Sequence, residues 1–293
     1  MSSVLNLQGC GTALVTPFRT DGSVDYEAYT ALVDRQVAAG VDFLVALATT
    51  GETPTLSPEE KVKLLELTRE HSGGRPIVAG AGSNSVPGTL ANMTLLEGHG
   101  ADAWLVVVPF YNKPTQEGQF QYFRTIAAAS KLPVILYNVP GRTGANMTAE
   151  TCLRIARECP NVIATKEASG KIEQVAEILG SAPAGFTVLS GDDDLTLEMM
   201  KLGARGVISV ASNIAPAQVS GMTRAALAGR WEDAAALDNG LKPLYKACFV
   251  ESNPIPAKAA LCQLGLCTDA MRLPLVPASP STHALMKGIL AAL

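Results

Sequence analysis

Val162-Ile163-Ala164-Thr165-Lys166-Glu167 is a strand-like apolar run that closes on an ammonium group. Burying a lysine is costly unless it is paired or gives up its proton, and the neutral amine is a nucleophile. Lys166 therefore has two readings. It is a strand-end lysine that reaches water and pairs with Glu167 at a rim, or it forms a Schiff base with a carbonyl substrate. The run also bears on architecture, because it is the sixth of eight.

The others fall at 12–18, 43–48, 77–81, 103–109, 133–139, 187–190 and 206–211, each a short β-branched or apolar segment. Amphipathic segments separate them. Ser57-Pro58-Glu59-Glu60 is a capping box with proline at the first helical position. Before it, Tyr29, Leu32, Val33 and Val37 form one apolar stripe that ends at Gly40. Eight β/α repeats without a linker describe an α/β protein of (β/α)8 barrel type, with an open doubly wound sheet as the other arrangement this alternation allows. The barrel is expected over residues 1–229, with its last helix near 216–229. A C-terminal helical extension over 230–293 then packs on it, with helices at 231–249, 256–264 and 282–292.

Composition narrows the function classes. With 47% hydrophobic and 17% charged residues, a 293-residue chain can bury a large core. A net charge of -4 and no Lys/Arg-rich block argue against nucleic acid or an anionic membrane as partner, which leaves small molecules. The six cysteines contain no CxxC pair, and the chain has three histidines, so neither a zinc site nor a disulfide framework is expected. Packed, reduced thiols point to the cytoplasm. The N-terminal residues lack a signal-peptide pattern, and no run reaches the roughly 18 apolar residues of a membrane span. Asn92 and Asn146 then open chance glycosylation triplets. Gly80 to Ser85 reads as a glycine-rich strand end, and the three acids from Asp192 to Asp194 as the opening of a helix over 195–202.

In such barrels the chemistry sits at the C-terminal ends of the strands. Those positions are Thr49-Thr50-Gly51-Glu52, Phe110-Tyr111-Asn112, Tyr137-Asn138 with Arg142, Lys166-Glu167 and Gly191-Asp192-Asp193. A lysine attacking a keto acid needs a proton manager and an anion holder. Tyr137, one strand away, supplies a hydroxyl that could relay protons through Thr49 to Tyr111; packed strand aromatic is its alternative. The Thr49-Thr50-Gly51 turn offers backbone N–H groups and hydroxyls for a carboxylate, although it also reads as an ordinary turn. Arg142, on a loop bounded by Pro140 and Gly144, could bind a carboxylate bidentately or simply be solvated.

Taken together, Gly11-Thr12-Ala13-Leu14-Val15-Thr16-Pro17-Phe18, Thr49-Thr50-Gly51-Glu52-Thr53, Pro109-Phe110-Tyr111-Asn112-Lys113-Pro114, Leu136-Tyr137-Asn138-Val139-Pro140-Gly141-Arg142-Thr143-Gly144, Lys166-Glu167-Ala168-Ser169-Gly170, Ser190-Gly191-Asp192-Asp193 and Glu251-Ser252-Asn253-Pro254-Ile255-Pro256 resemble the dihydrodipicolinate synthase family of pyruvate-dependent class I aldolases across almost the whole chain. The resemblance implies a lyase of the carbon–oxygen class. Its members condense pyruvate with L-aspartate 4-semialdehyde to give 4-hydroxy-tetrahydrodipicolinate, in lysine and diaminopimelate biosynthesis. It implies Lys166 as the Schiff-base lysine, Tyr137 as proton donor and acceptor, and Thr49 with Tyr111 completing a relay. Thr50 and the backbone near Ile208 would contact pyruvate, Arg142 would hold the semialdehyde carboxylate, and Gly191 would belong to the substrate-binding set. No metal or cofactor is implied beyond the covalent imine. A homo-oligomer is implied, a tetramer built as a dimer of dimers, with Tyr111 lent across the dimer interface.

The chain departs from that pattern where lysine-inhibited members carry polar residues at an inter-subunit cleft. Pro58, Lys61, Gly88 and Phe110 stand at the matching positions, with Asn84 retained. A cationic Lys61 and no carboxylate at Gly88 predict weak or absent lysine feedback. A sialic acid or 2-keto-3-deoxy sugar acid lyase is the nearest rival, disfavoured by Arg142. A silent keto-acid-binding sensor barrel is the non-enzyme alternative.

Overall fold

Parallel strands hydrogen-bond in chain order and the first closes on the last, so the sheet has no edge and the doubly wound alternative is excluded. The computed structural model describes residue 5 and residues 7–293; the terminal stretch read above for targeting lies mostly outside them. The strands are β1 Gly9–Ala13, β2 Phe43–Ala46, β3 Ile77–Gly80, β4 Ala103–Val107, β5 Val134–Asn138, β6 Val162–Glu167, β7 Thr187–Ser190 and β8 Gly206–Ser209. Around them run α1 Tyr26–Ala38, α2 Pro58–His71, α3 Val86–Leu96, α4 Gln116–Ala129, the short α5 Pro140–Thr143, α6 Ala149–Glu158, α7 Ile172–Ser181, α8 Thr196–Leu202 and α9 Pro216–Leu227. Three further helices follow: α10 Trp231–Ala247, α11 Ile255–Gln263 and α12 Pro280–Leu290. The helix expected over 195–202 begins as a 3-10 turn at Asp193–Leu195 and becomes α-helical from Thr196.

The first strand departs most from its expected place at 12–18. Leu14 still donates its N–H to Val45 O at 2.9 Å, but the Val15 N–H turns to Asn213 Oδ1 at 3.2 Å, and Pro17 has no N–H to give. The strand starts earlier, at glycines that carry little β propensity. Gly11 is required for packing: a Cβ there would lie 2.0 Å from Phe43 Cε2, so the Phe43 ring fills the barrel where a side chain is missing. Several other strands end one or two residues before their apolar runs do, as the chain peels outward into the loops of the mouth.

Two apolar layers result from strand alternation. Phe43, Val45, Val78, Leu105, Ile135, Tyr137, Ala164, Leu189 and Ile208 fill the barrel. A larger cluster packs the outer strand faces against the helices. The capping box of α2 forms as expected, with Ser57 Oγ accepting from the Glu60 N–H at 3.2 Å and Glu60 Oε2 accepting from the Ser57 N–H at 2.9 Å. In α1 the expected stripe packs inward, with Val37 partly buried, and Gln36 is buried beside it because Thr12 on β1 donates to Gln36 Oε1 at 2.9 Å.

The C-terminal segment reaches the mouth rather than only covering the wall. Arg272 donates to both Glu60 oxygens, at 2.7 and 2.6 Å, and to Gly22 O at 2.8 Å. Lys258 of α11 and the residues just before that helix grip the turn that follows β2.

Candidate active site

Strand β6 places Lys166. Ala164 belongs to the barrel interior, so the residue two further on faces the same way, while Thr165 and Glu167 face outward. Lys166 is 5% exposed and forms no salt bridge among the described residues. Its Nζ lies 4.3 Å from the centroid of the Tyr137 ring, which is its registered neighbour on β5. Pairing with Glu167 does not occur. That carboxylate accepts from Asn138 Nδ2 at 3.0 and 3.1 Å and from the Ser169 N–H at 2.9 Å. Gly191 makes room for the lysine, since a Cβ there would stand 3.0 Å from Lys166 Cε and 2.6 Å from Ala168 Cβ.

Acidic groups flank the lysine. Asp193 is buried, with Oδ2 accepting from the Val210 and Ala211 N–H groups at 3.0 Å each, and so ties the loop after β7 to the end of β8. Burial raises its carboxyl above the ordinary range. Burial also pushes Asp192 up to about 6, opposed by the charge of Lys166 and reinforced by Asp194, Asp193 and Glu167. A raised carboxyl binds its proton more tightly in the folded than in the unfolded chain. Its unfavourable contribution is thus complete above pH 6 and is relieved as pH falls toward 3.8. An Asp192→Asn protein is therefore expected to be more stable than the parent at pH 8 and no more stable near pH 4, in urea unfolding at the two values. An equal gain at both would contradict the cause assigned.

After β2 the chain makes a 3-10 turn, Thr49–Gly51. Thr50 is 3% exposed and its Oγ1 accepts from Asn253 Nδ2 at 3.0 Å. Glu52 follows in the left-handed region at φ 52, fully buried, with Oε1 2.8 Å from Lys258 Nζ. Lys258 also donates to Ala270 O at 2.6 Å and stands 4.3 Å from the Phe18 ring centroid. Burial lowers its pKa and Glu52 opposes the shift.

A cavity of about 430 Å³ opens at this end of the barrel, lined by Thr49, Tyr137, Val139 and Arg142 on one side and by Lys61 and Phe110 on another. Lys166 is not in its wall but stands against Tyr137, which is. Arg142, on α5, is exposed, and its Nη2 donates to Asn253 O at 3.3 Å. Ile208 is buried in the barrel interior on β8. Tyr111 is not brought in: it is 88% exposed, at φ 74, and among the described residues no hydrogen bond joins the hydroxyls of Thr49, Tyr137 and Tyr111. The relay is not made within one chain. Of the positions expected to govern feedback, Lys61 and Phe110 line the cavity. Pro58 opens α2, and a Cβ on Gly88 would meet Ser83 Oγ at 2.7 Å.

Among the described residues no group of three or more His, Cys, Asp or Glu side chains is placed to hold a metal ion, and no helix is long and apolar enough to cross a membrane. All six cysteines are free, four of them buried. The sequence names Glu52 and Asp193 at the mouth and Asn253 in a motif without giving them these roles, and Lys258 went unnamed. Lys258 carried a visible signal, since it is a cation inside the apolar run 254–261.

The sequence profile of the dihydrodipicolinate synthetase family matches residues 6–293. The chain belongs to that family. It is 50% identical over 287 residues to a 4-hydroxy-tetrahydrodipicolinate synthase from Parabacteroides distasonis, covering 98% of this chain and 97% of that one. Among solved structures it is similar to a chloride-inhibited dihydrodipicolinate synthase from Acinetobacter baumannii complexed with pyruvate. There the identity is 40% and the TM-score 0.95, over 98% and 99% of the two chains. A dihydrodipicolinate synthase from Cyanidioschyzon merolae with lysine bound is 41% identical at a TM-score of 0.93, over 97% of each chain. The high TM-scores of the solved relatives show that the barrel is shared with them.

Proposed function

We propose that the chain condenses pyruvate with L-aspartate 4-semialdehyde through an imine on Lys166, giving 4-hydroxy-tetrahydrodipicolinate for lysine and diaminopimelate biosynthesis. One observation supports this most: a buried lysine that makes no salt bridge among the described residues, packed on a tyrosine ring at the C-terminal mouth of the barrel. Relatives named for the reaction, similar over nearly the whole chain, favour it over a sugar-acid lyase or a silent barrel.

The Lys166 amine adds to the keto carbon and the carbinolamine loses water. The resulting iminium acidifies the methyl group, which gives up a proton to form the enamine. The enamine carbon attacks the aldehyde and Tyr137 donates a proton to the new alkoxide. The amine of the semialdehyde then adds to the imine carbon, expels Lys166 and closes the ring. One water leaves overall, which is the basis for placing the enzyme among the carbon–oxygen lyases. The chemistry is carried by this covalent imine on the chain's own side chain.

Thr50, Gly191 and the backbone at Ile208 hold pyruvate, while Arg142 takes the carboxylate of the semialdehyde as a charge-assisted fork. Thr49 and Tyr111 complete the proton path in an assembly where a second copy covers the exposed, left-handed Tyr111. A tetramer of two dimers is the arrangement we favour, in the cytoplasm, where unpaired cysteines such as Cys262 and Cys267 remain reduced.

The test is NADPH consumption in an assay coupled to excess dihydrodipicolinate reductase. Pyruvate and the semialdehyde together should drive consumption. If a folded protein that still captures pyruvate gives none, the activity is that of a sugar-acid lyase instead.

Lysine should inhibit weakly or not at all, because the half-buried Lys61 ammonium lines the cavity that a second cation would enter. Half-inhibition by millimolar lysine in the same assay would refute that expectation.

A further inference from the structure

Asn253 lies just before α11, in the segment that enters the barrel mouth from the C-terminal extension, and is 5% exposed. Its side-chain amide donates to Thr50 Oγ1 at 3.0 Å, and its backbone oxygen accepts from Arg142 Nη2 at 3.3 Å. The two partners arrive from the ends of β2 and β5, and one residue of the extension spans them. Its Oδ1 is buried with no partner among the described residues, so the amide is not held by a network of its own.

The direction of the bond to Thr50 matters. A hydroxyl that accepts from an amide N–H has its proton left to donate elsewhere, and polarisation along the chain makes it a better donor. The Thr50 hydroxyl has no acceptor of its own among the described residues. We propose that Asn253 is a positioning residue that commits the Thr50 hydroxyl to donate to the carboxylate of the keto acid, and that it thereby sets affinity for that substrate and not for the aldehyde. This rests on the function proposed above, with Thr50 facing pyruvate. The aldehyde side is spared because Arg142 leans on the backbone of Asn253, which no side-chain substitution removes.

The experiment compares Asn253→Ala and Asn253→Asp in the wild-type and Thr50→Val backgrounds. It reads KM for each substrate, and the pyruvate concentration that gives half-maximal borohydride-trapped adduct. Loss of one hydrogen bond in Asn253→Ala should raise both pyruvate measures about 3- to 10-fold and leave KM for the semialdehyde within about 2-fold. Asn253→Asp should be worse than Asn253→Ala, because a carboxylate accepts the Thr50 proton and turns it from the substrate. In the Thr50→Val background the alanine substitution should add nothing, which separates coupling through Thr50 from a general loosening of the mouth. The proposal is overturned if Asn253→Ala keeps the parental pyruvate values, if both substrates weaken equally, or if the two substitutions add independently. Failure of the underlying reading looks different: the parent itself would trap no pyruvate, and that too overturns the proposal.

Discussion

A Lys166→Ala protein should lose at least ~10³-fold in turnover while remaining folded, equivalent to about 4 kcal/mol or more of transition-state stabilisation. The loss is large because no neighbouring amine can take over: Tyr137 is a phenol, and Lys258 is locked onto Glu52. The fold should survive because Lys166 makes no salt bridge among the described residues, so its removal breaks no ion pair. Thermal unfolding and the coupled assay on the same preparation test both halves. Residual turnover within 10-fold of the parent would show that the imine is not formed on this residue.

The largest expected effect on stability lies at the second buried lysine. Replacing Glu52 by glutamine leaves the Lys258 ammonium without a counter-charge at a site where both side chains are 0% exposed. Breaking such a pair from one side costs about 3–5 kcal/mol, because the remaining charge is stranded rather than because the pair itself is strongly favourable. Replacing both partners, as in Glu52→Leu with Lys258→Met, should recover most of the loss. Denaturant unfolding of the three proteins measures this. A loss below about 1 kcal/mol for Glu52→Gln, or a double replacement as unstable as the single one, would contradict it. Activity should fall with stability in the single variant, since Glu52 ends the turn that presents Thr49 and Thr50.

These two lysines show how far residues alone could be read. Lys166 and Lys258 both interrupt apolar runs, and the same physical argument applies to each. Only the fold distinguishes them. Glu52 pairs with Lys258 across 206 positions of sequence, whereas the acid next to Lys166 turns outward to Asn138 and Ser169. The alternation of runs and capped helices was legible because it depends on local periodicity, and the capping box at Ser57 is local in the same sense. The start of β1 was not, because Gly9 and Gly11 carry no strand signal and are there for the close approach of Asp42 and Phe43. Asn253 was quoted within a motif without a role, since its partners lie at positions 50 and 142. Tyr111 was read as part of a relay, yet its side chain is 88% exposed and is not joined to Thr49 or Tyr137 among the described residues.

The central claim is that pyruvate becomes covalently attached to Lys166. The most direct measurement is borohydride reduction of the full-length protein in the presence of pyruvate, followed by proteolysis and mass mapping of the modified peptide. A single reduced pyruvyl adduct on Lys166, with Lys258 and Lys61 unmodified, is the result the account predicts. An unmodified Lys166, or an adduct carried by another lysine, would contradict it.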